Sequence, residues 1–379
     1  MTVIVETDVL VIGAGMAGAS TAAELAGLGR KVVLLERESQ PGMHATGRSA
    51  ALFSETYGGP AVRALTRASR DFYMTPPGGF ADHPLVKARP AMHVADADGL
   101  PALHAFAISP DVAAVTRTLD TAEALKRCPI LRAEHAVGVV LEYGSQDIEV
   151  HGLHQAYLRK LRAHGGQLRT DVMPEALARK GNVWRAETAA GVFEAPVVVN
   201  AAGAWAGEVA MLAGASLFEI EPRRRTAVLV DAPANMDIAE WPFVIDAAEL
   251  FYFKPDAGRL LLSPADETPS PPCDAQADEM DIAVAIDRVE SATTLQVRHV
   301  RHRWAGLRTF VHDRTPVIGF DPKAEGFFWV AALGGYGIQT APGVGRLAST
   351  LIATGALSPE LEAHGVNLAD MAVERLLAV

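Results

Sequence analysis

The sequence predicts an α/β chain in two parts. One is a parallel sheet covered by helices and assembled from separate stretches of the chain, and the other is an α+β part built on an antiparallel sheet. Three observations predict it. The β-branched run "TDVLVIG" passes through glycines into a small-residue helix and out into a second apolar run. "RRRTAVLVDA" and "ELFYFKPDAGRLLLS" look like antiparallel strands. The closing "GFFWVAALGGYGIQTAPGVGRLASTLIATG" returns to strand, glycine turn and helix. With 379 residues, 49% of them hydrophobic, the chain is long enough for two domains or one composite one.

Taken in order, residues 7–13 form a strand, 16–28 a helix and 31–38 ("KVVLLERE") the next strand, a βαβ unit with short connections. From 55 to 110 the periodicity loosens, with Pro76-Pro77-Gly78-Gly79 and Arg89-Pro90-Ala91-Met92 as breakers, and a departure from the first part is expected there. A helix over 151–164 and strands near 167–172, 182–188 and 191–199 bring the chain back to a sheet. "DEMDIAVAIDRVESAT" is an amphipathic helix suited to cover the antiparallel strands. No internal repeat or low-complexity linker is visible. The expected division is 1–80, 145–218 and 300–379 for the first part, and 81–144 and 219–299 for the second.

The formal charge of −11 disfavours nucleic acid and anionic membrane surfaces, both of which need a positive field, and leaves small molecules as the expected partners. Cys128 and Cys273 form no Cys-x-x-Cys pattern, so neither a disulfide framework nor a cysteine zinc site is expected. That usage fits a reducing cytoplasm. "MTVIVETDVL" lacks the basic start of a signal peptide. The apolar stretch 193–217 is interrupted by Asn200, Trp205 and Glu208, so no transmembrane anchor is expected. His44, His104, His151 and His154 have no metal-ligand spacing, and no metal is expected.

Gly13-x-Gly15-x-x-Gly18 follows a strand, opens a helix and is trailed by Glu36 at the end of the second strand, which is the Rossmann-type dinucleotide pattern. Glycines let the backbone approach a pyrophosphate, and the helix N-terminus offers it unpaired N–H groups. Glu36 is placed to accept from ribose hydroxyls and disfavours a 2′-phosphate, but the motif does not separate FAD from NAD. "HATGRSAALFSETYG" (44–58), "VVVNAAGAWAGEVA" (197–210) and "GGYGI" (334–338, opening the last helix) each also admit a plain structural reading as a helix start or close packing. Arg308 sits among Trp304, Leu307 and Phe310, where a charge needs an anionic partner, either a structural carboxylate or part of a ligand.

In order along nearly the whole chain, "DVLVIGAGMAGAS", "LLERE", "TGRSAA", "VVNAAGAWA", "WAGLR" and "GGYGIQTAP" resemble the glycine oxidase and D-amino-acid oxidase superfamily of FAD-dependent oxidoreductases. Within it, "TGRSAA", "FYFKPDAG" and "EGFFWVAA" are most similar to the bacterial D-arginine dehydrogenases. The resemblance implies a discontinuous FAD-binding domain and a substrate domain. It implies that Ile12, Gly13, Gly15, Gly18, Glu36 and Arg37 hold the adenosine and pyrophosphate, and that Ala45, Thr46, Gly47, Arg48, Ser49, Ala50, Ala51 and Leu52 line pyrophosphate and flavin. Ala202 and Gly203 approach from the neighbouring strand, and Gly334, Gly335, Gly337, Ile338 and Gln339 contact the flavin.

Arg308 then grips the substrate carboxylate with a planar fork. Tyr252 and Arg225 assist, with Arg224 as the alternative to Arg225, while Tyr57 closes from a lid region and Gly335 lies at the reacting centre. The implied reaction is oxidation of a D-amino acid at its Cα–N bond, by way of an imino acid, to a 2-oxo acid and ammonia. Activity rises with pH until the amine is deprotonated. Where the D-arginine enzymes carry histidine and glutamate this chain has Leu52 and Ala91, so the expected substrate has a neutral, apolar side chain. Neither cysteine falls in the matching segments, so FAD is expected to be non-covalent. The electron acceptor is left open between a quinone and dioxygen, and the expected location is the cytoplasm or the periphery of the inner membrane. A 2-hydroxy-acid or N-methyl-amino-acid oxidoreductase, or an FAD-binding subunit of a larger complex, are the alternatives.

Overall fold

A computed structural model describes residues 3–377; residues 1, 2, 378 and 379, at the outer ends of the expected FAD-binding part, lie outside the described residues. Six strands form the first sheet in the order Gln167–Arg169, Val32–Leu35, Val9–Ile12, Val197–Asn200, Phe327–Ala331 and Val317–Phe320. All neighbours are parallel except the last pair. The strands Val9–Ile12 and Val32–Leu35 are buried at every residue, as central strands covered on both faces must be. Because the strands come from the beginning, middle and end of the chain, this sheet is discontinuous in sequence.

The helix Met16–Gly27 leaves the first strand through Gly13, whose φ of +99° suits glycine. It packs against the helices Val150–Ala163 and Ala341–Thr354. Its small residues permit this closeness: a Cβ on Gly345 would stand 3.1 Å from Ser20.

Three expectations are corrected here. The run 191–199 is two strands in different sheets. Gly191–Ala195 lies in a four-stranded sheet with Ile4–Glu6, Val183–Thr188 and Ala176–Lys180, and Val197–Asn200 lies in the six-stranded one, with Pro196 between them removing a ladder donor. The loosened region from 55 contains a helix, Pro60–Met74, which starts on proline and buries Ala61, Val62, Ala64, Leu65 and Ala68 at helical spacing. It stays with the six-stranded part, where Gly343 N–H donates to Ser69 Oγ at 2.9 Å. The last helix, too, begins later than expected: "GGYGI" is a turn, with Tyr336 N–H donating to Leu333 O at 2.9 Å, and the helix starts at Ala341.

Nine strands form the large sheet. Its path runs Thr268–Pro269, Glu221–Asp231, Arg259–Ser263, Tyr252–Asp256, Phe243–Asp246, Ala91–Ala95, Gly138–Glu142 and Thr116–Leu119, and Val300–Phe310 also pairs with Glu221–Asp231. Residues 300–310, grouped by the sequence with the FAD-binding part, thus pair along almost their full length with a strand of the other part. The helix Glu279–Ala292 covers this sheet as its amphipathic pattern predicts, capped by Asp278, which accepts from Met280 N–H at 2.8 Å. Among the described residues no helix is long and apolar enough to cross a membrane.

Candidate active site

A cleft of about 240 Å3 opens at the carboxyl ends of the parallel strands, where doubly wound sheets bind their ligands. Ile12, Gly13, Gly15, Leu35, Ala202 and Gly203 line it. A Cβ on Gly13 would lie 2.5 Å from Ala201 O, so only glycine gives the wall this shape. Glu36 is buried at the lip: Oε2 accepts from Ala14 N–H and Oε1 from Glu38 N–H, both at 3.0 Å. These two bonds fix the carboxylate and leave each oxygen a lone pair for a hydroxyl donor. A glycine-walled cleft at a helix N-terminus with a fixed acid at its lip fits a dinucleotide.

Not every residue expected in this cleft touches it. Gly18 and Gly47 stand behind the wall: added Cβ atoms would lie 1.8 Å from Gly13 O and 2.8 Å from Gly42 O, so these glycines set backbone packing. Thr46 lines the cleft, but its Oγ1 accepts from Met16 N–H at 2.9 Å and so caps the helix. Arg48 also lines it, while its guanidinium is committed to protein, donating to Ala275 O at 2.8 Å, Ala305 O at 2.9 Å and the Asp274 carboxylate. It ties the 44–51 segment to the strand Val300–Phe310 and to residues 274–275. Arg37 sits over the Trp205 ring at 4.6 Å, and His44 packs against the same ring at 4.7 Å. Ala45, Ser49, Ala50, Gly334, Gly335, Gly337 and Ile338 complete the wall, and Cys273, outside the motif segments, also reaches it.

A second cavity, of about 610 Å3, shares Ser49, Ala50, Arg225, Tyr252, Arg308, Gly335 and Ile338 with the first. Ala51, Leu52 and Gln339 belong to this cavity rather than to the cleft. The Gln339 amide is already held, with Oε1 accepting from Ser54 N–H at 3.4 Å and Nε2 donating to Thr66 Oγ1 at 2.9 Å. It braces the wall.

Arg308 projects where the two cavities meet, and its Nη1 donates to the Tyr57 hydroxyl at 3.2 Å. Burial disfavours its charge, but Tyr57, Tyr252 and the Glu267 carboxylate raise its pKa, so it stays a cation. Gly335 makes room for this pair: a Cβ there would lie 2.8 Å from Tyr57 Oη and 2.9 Å from Arg308 Nη1. Burial pushes the Tyr252 hydroxyl up, yet the guanidiniums of Arg308 and Arg225 outweigh it and hold it below its ordinary value.

Of the two candidate arginines, Arg225 faces inward. Its Nε donates to Asp266 O at 2.7 Å and its Nη2 to Glu267 Oε1 at 3.1 Å, with Tyr252 5.9 Å away, whereas Arg224 turns to Asp281 at 2.7 Å on the other face. Alternation along one strand separates them. Glu267 is shared with Arg314, so only Arg308 reaches the junction without a carboxylate of its own among the described residues.

Ala91 is corrected. It is fully buried between Phe243 and Glu142 in register, and its methyl does not reach the cavity wall. That wall is made instead by His93, on the same face by the two-residue period, packed on Phe106 at 4.3 Å. The sequence reading also missed Glu142, a buried carboxylate accepting from Ser54 Oγ at 2.7 Å, Thr56 Oγ1 at 2.8 Å and Glu55 N–H at 2.7 Å. Burial raises its pKa in spite of these donors. The strand pattern held a signal for His93, but Glu142 is brought to its donors only by tertiary packing.

The family model described as FAD dependent oxidoreductase (DAO) matches residues 8–351. A glycine oxidase of Geobacillus kaustophilus is 26% identical over 360 residues, covering 91% of this chain and 92% of that one. FAD-dependent oxidoreductase domain-containing protein 1 of Bos taurus is 29% identical over 181 residues, 43% of this chain, and the matched stretch spans only 36% of that relative. Among solved structures, L-proline dehydrogenase from P. horikoshii superposes with a TM-score of 0.83 at 20% identity, over 96% of this chain and 97% of that one, a likeness of fold.

Proposed function

Because this chain belongs to the DAO family of FAD-dependent oxidoreductases, we propose that it oxidises the Cα–N bond of a D-amino acid with a neutral side chain, releasing an imino acid that hydrolyses to a 2-oxo acid and ammonia. The observation that carries the reading is Arg308, a cation without a carboxylate of its own among the described residues, at the junction of the dinucleotide cleft and the second cavity. A substrate carboxylate supplies the missing anion and is gripped bidentately, with Tyr252 as a further donor and Arg225 adding positive field. Tyr57 and Tyr336, edge to face at 4.9 Å, cover that end and limit water. FAD, held without a covalent bond by the glycine wall and Glu36, supplies the two-electron oxidation.

The D configuration rests on the sequence resemblance, and the neutral side chain on Leu52, Phe243 and Ile245 in a wall that Asp246 and Glu249 also line. No general base is assigned, so the amine must arrive neutral and the rate rises with pH towards the amine pKa. The test is an anaerobic screen of the FAD-loaded protein against D-, L-, N-methyl-amino and 2-hydroxy acids, followed by loss of flavin absorbance. Neutral D-amino acids are expected to bleach the flavin fastest. Faster bleaching by D-arginine, by L-amino acids or by hydroxy acids overturns the reading.

A further inference from the structure

The wall of the second cavity opposite the carboxylate clamp carries a polar group with no task in the chemistry above. His93 lines this cavity, is packed on Phe106 at 4.3 Å, and its Nε2 is buried without a hydrogen-bond partner among the described residues. An orphaned buried nitrogen costs free energy unless something else pairs with it. Burial holds the imidazole down to about 4, so near neutral pH it is an uncharged ring able to accept or donate.

The sheet register fixes how far this ring is from the clamp. Tyr252 pairs with Ile245, and Ile245 pairs with His93, so the three side chains stand in one row on one face. Two strand spacings separate Tyr252 from His93, ~10 Å. A molecule whose carboxylate rests at Arg308 and Tyr252 therefore needs a long side chain to come within a ~3 Å hydrogen bond of that imidazole. A leucine side chain stops short, whereas an indole or a phenol spans the gap and puts its N–H or O–H at the far edge. Ile245 stands between them and Phe243 packs on Tyr252 at 5.2 Å, while Asp246 and Glu249 also line the cavity.

We propose that His93 is a specificity-determining residue that selects amino acids with a flat aromatic side chain bearing an N–H or O–H at its distal edge, indole above all. The proposal rests on the carboxylate clamp of the proposed function and narrows its substrate class. Phe106 holds the imidazole in place, and the unpaired nitrogen completes its hydrogen bonding with the substrate.

The test uses the FAD-loaded protein and ligands that lack an amine, so it does not depend on turnover or chirality. Indole-3-propionate and 1-naphthalenepropionate, close in shape and differing in the N–H, are titrated against the flavin absorbance band. Wild type is expected to bind the indole about tenfold tighter, roughly one hydrogen bond. His93→Leu is expected to equalise the two, and His93→Gln, which keeps a hydrogen-bonding group, to restore part of the preference. Flavin content and thermal unfolding identify any variant that has failed to fold, in which case His93→Gln and the wild-type ratio decide. Equal affinities in wild type, or a preference unchanged in His93→Leu, overturn the proposal. Arg308→Ala separates the two readings. Ligands that bind it as well as wild type refute the clamp, and this inference falls with it, whereas loss of binding in Arg308→Ala with no effect at His93 refutes this inference alone.

Discussion

Arg308 and Tyr57 approach each other over a residue that has no side chain. Burying a guanidinium beside a phenol leaves the charge short of a full counter-ion, and that shortfall is what a carboxylate ligand would satisfy. Gly335 is where the arrangement is most fragile, because an added methyl group would meet Tyr57 Oη at 2.8 Å and Arg308 Nη1 at 2.9 Å. Gly335→Ala is therefore expected to keep its FAD and lose on the order of a hundredfold in kcat/KM, as small misplacements of positioning groups do. Steady-state kinetics together with the flavin-to-protein ratio check it. Unchanged kinetics would mean that the clamp geometry does not govern the reaction.

At the scale of elements, the short strand Leu52–Phe53 and the turn after it carry lining residues that include Leu52 and Tyr57, and beyond the buried Phe53 little of their own holds them. Glu142, at the end of Gly138–Glu142, holds them instead by accepting from Ser54, Glu55 and Thr56. It acts as a staple from the large sheet to the wall of the site. Glu142→Ala strands those donors, and a loss of about 1–3 kcal/mol for each buried group left unpaired is the relevant scale. Glu142→Gln keeps an acceptor oxygen and should lose less. Urea unfolding is the measurement, with KM as a second readout, since Tyr57 follows the segment. Equal stability of the alanine variant and wild type would remove Glu142 from this role.

For the whole molecule, the glycine-walled cleft lies between the six-stranded sheet, the 44–51 segment and the strand Val300–Phe310, which contributes Gly306, Leu307 and Arg308. A dinucleotide in that cleft touches elements from both parts of the chain. A ligand that binds only the folded state stabilises it by ~2.7 kcal/mol at a hundred times its Kd. FAD-stripped protein is accordingly expected to unfold at a lower temperature than the same protein with excess FAD, with Tm climbing as FAD is added. A Tm indifferent to FAD would place the cofactor outside the folding unit.

The βαβ opening, the glycine fingerprint with Glu36, the capped helix Glu279–Ala292 and the inward arginine of "WAGLR" were legible in the sequence, because each depends on periodicity or on residue chemistry a few positions apart. What the sequence could not decide depends on which distant residues meet. It left Arg224 and Arg225 open until strand alternation turned one to Asp281 and the other to the cavity. It placed Ala91 in the pocket, where a methyl group proved too short to emerge between Phe243 and Glu142. It read 191–199 as one strand, although Pro196 divides it between two sheets. Local pattern determined the elements and the binding of a dinucleotide, the family resemblance made that dinucleotide FAD, and the wall facing the substrate was set by pairings across the sheet and by packing between distant segments. Those choices belong to tertiary structure, because a side chain's neighbours in a cavity come from strands and loops far apart in the chain.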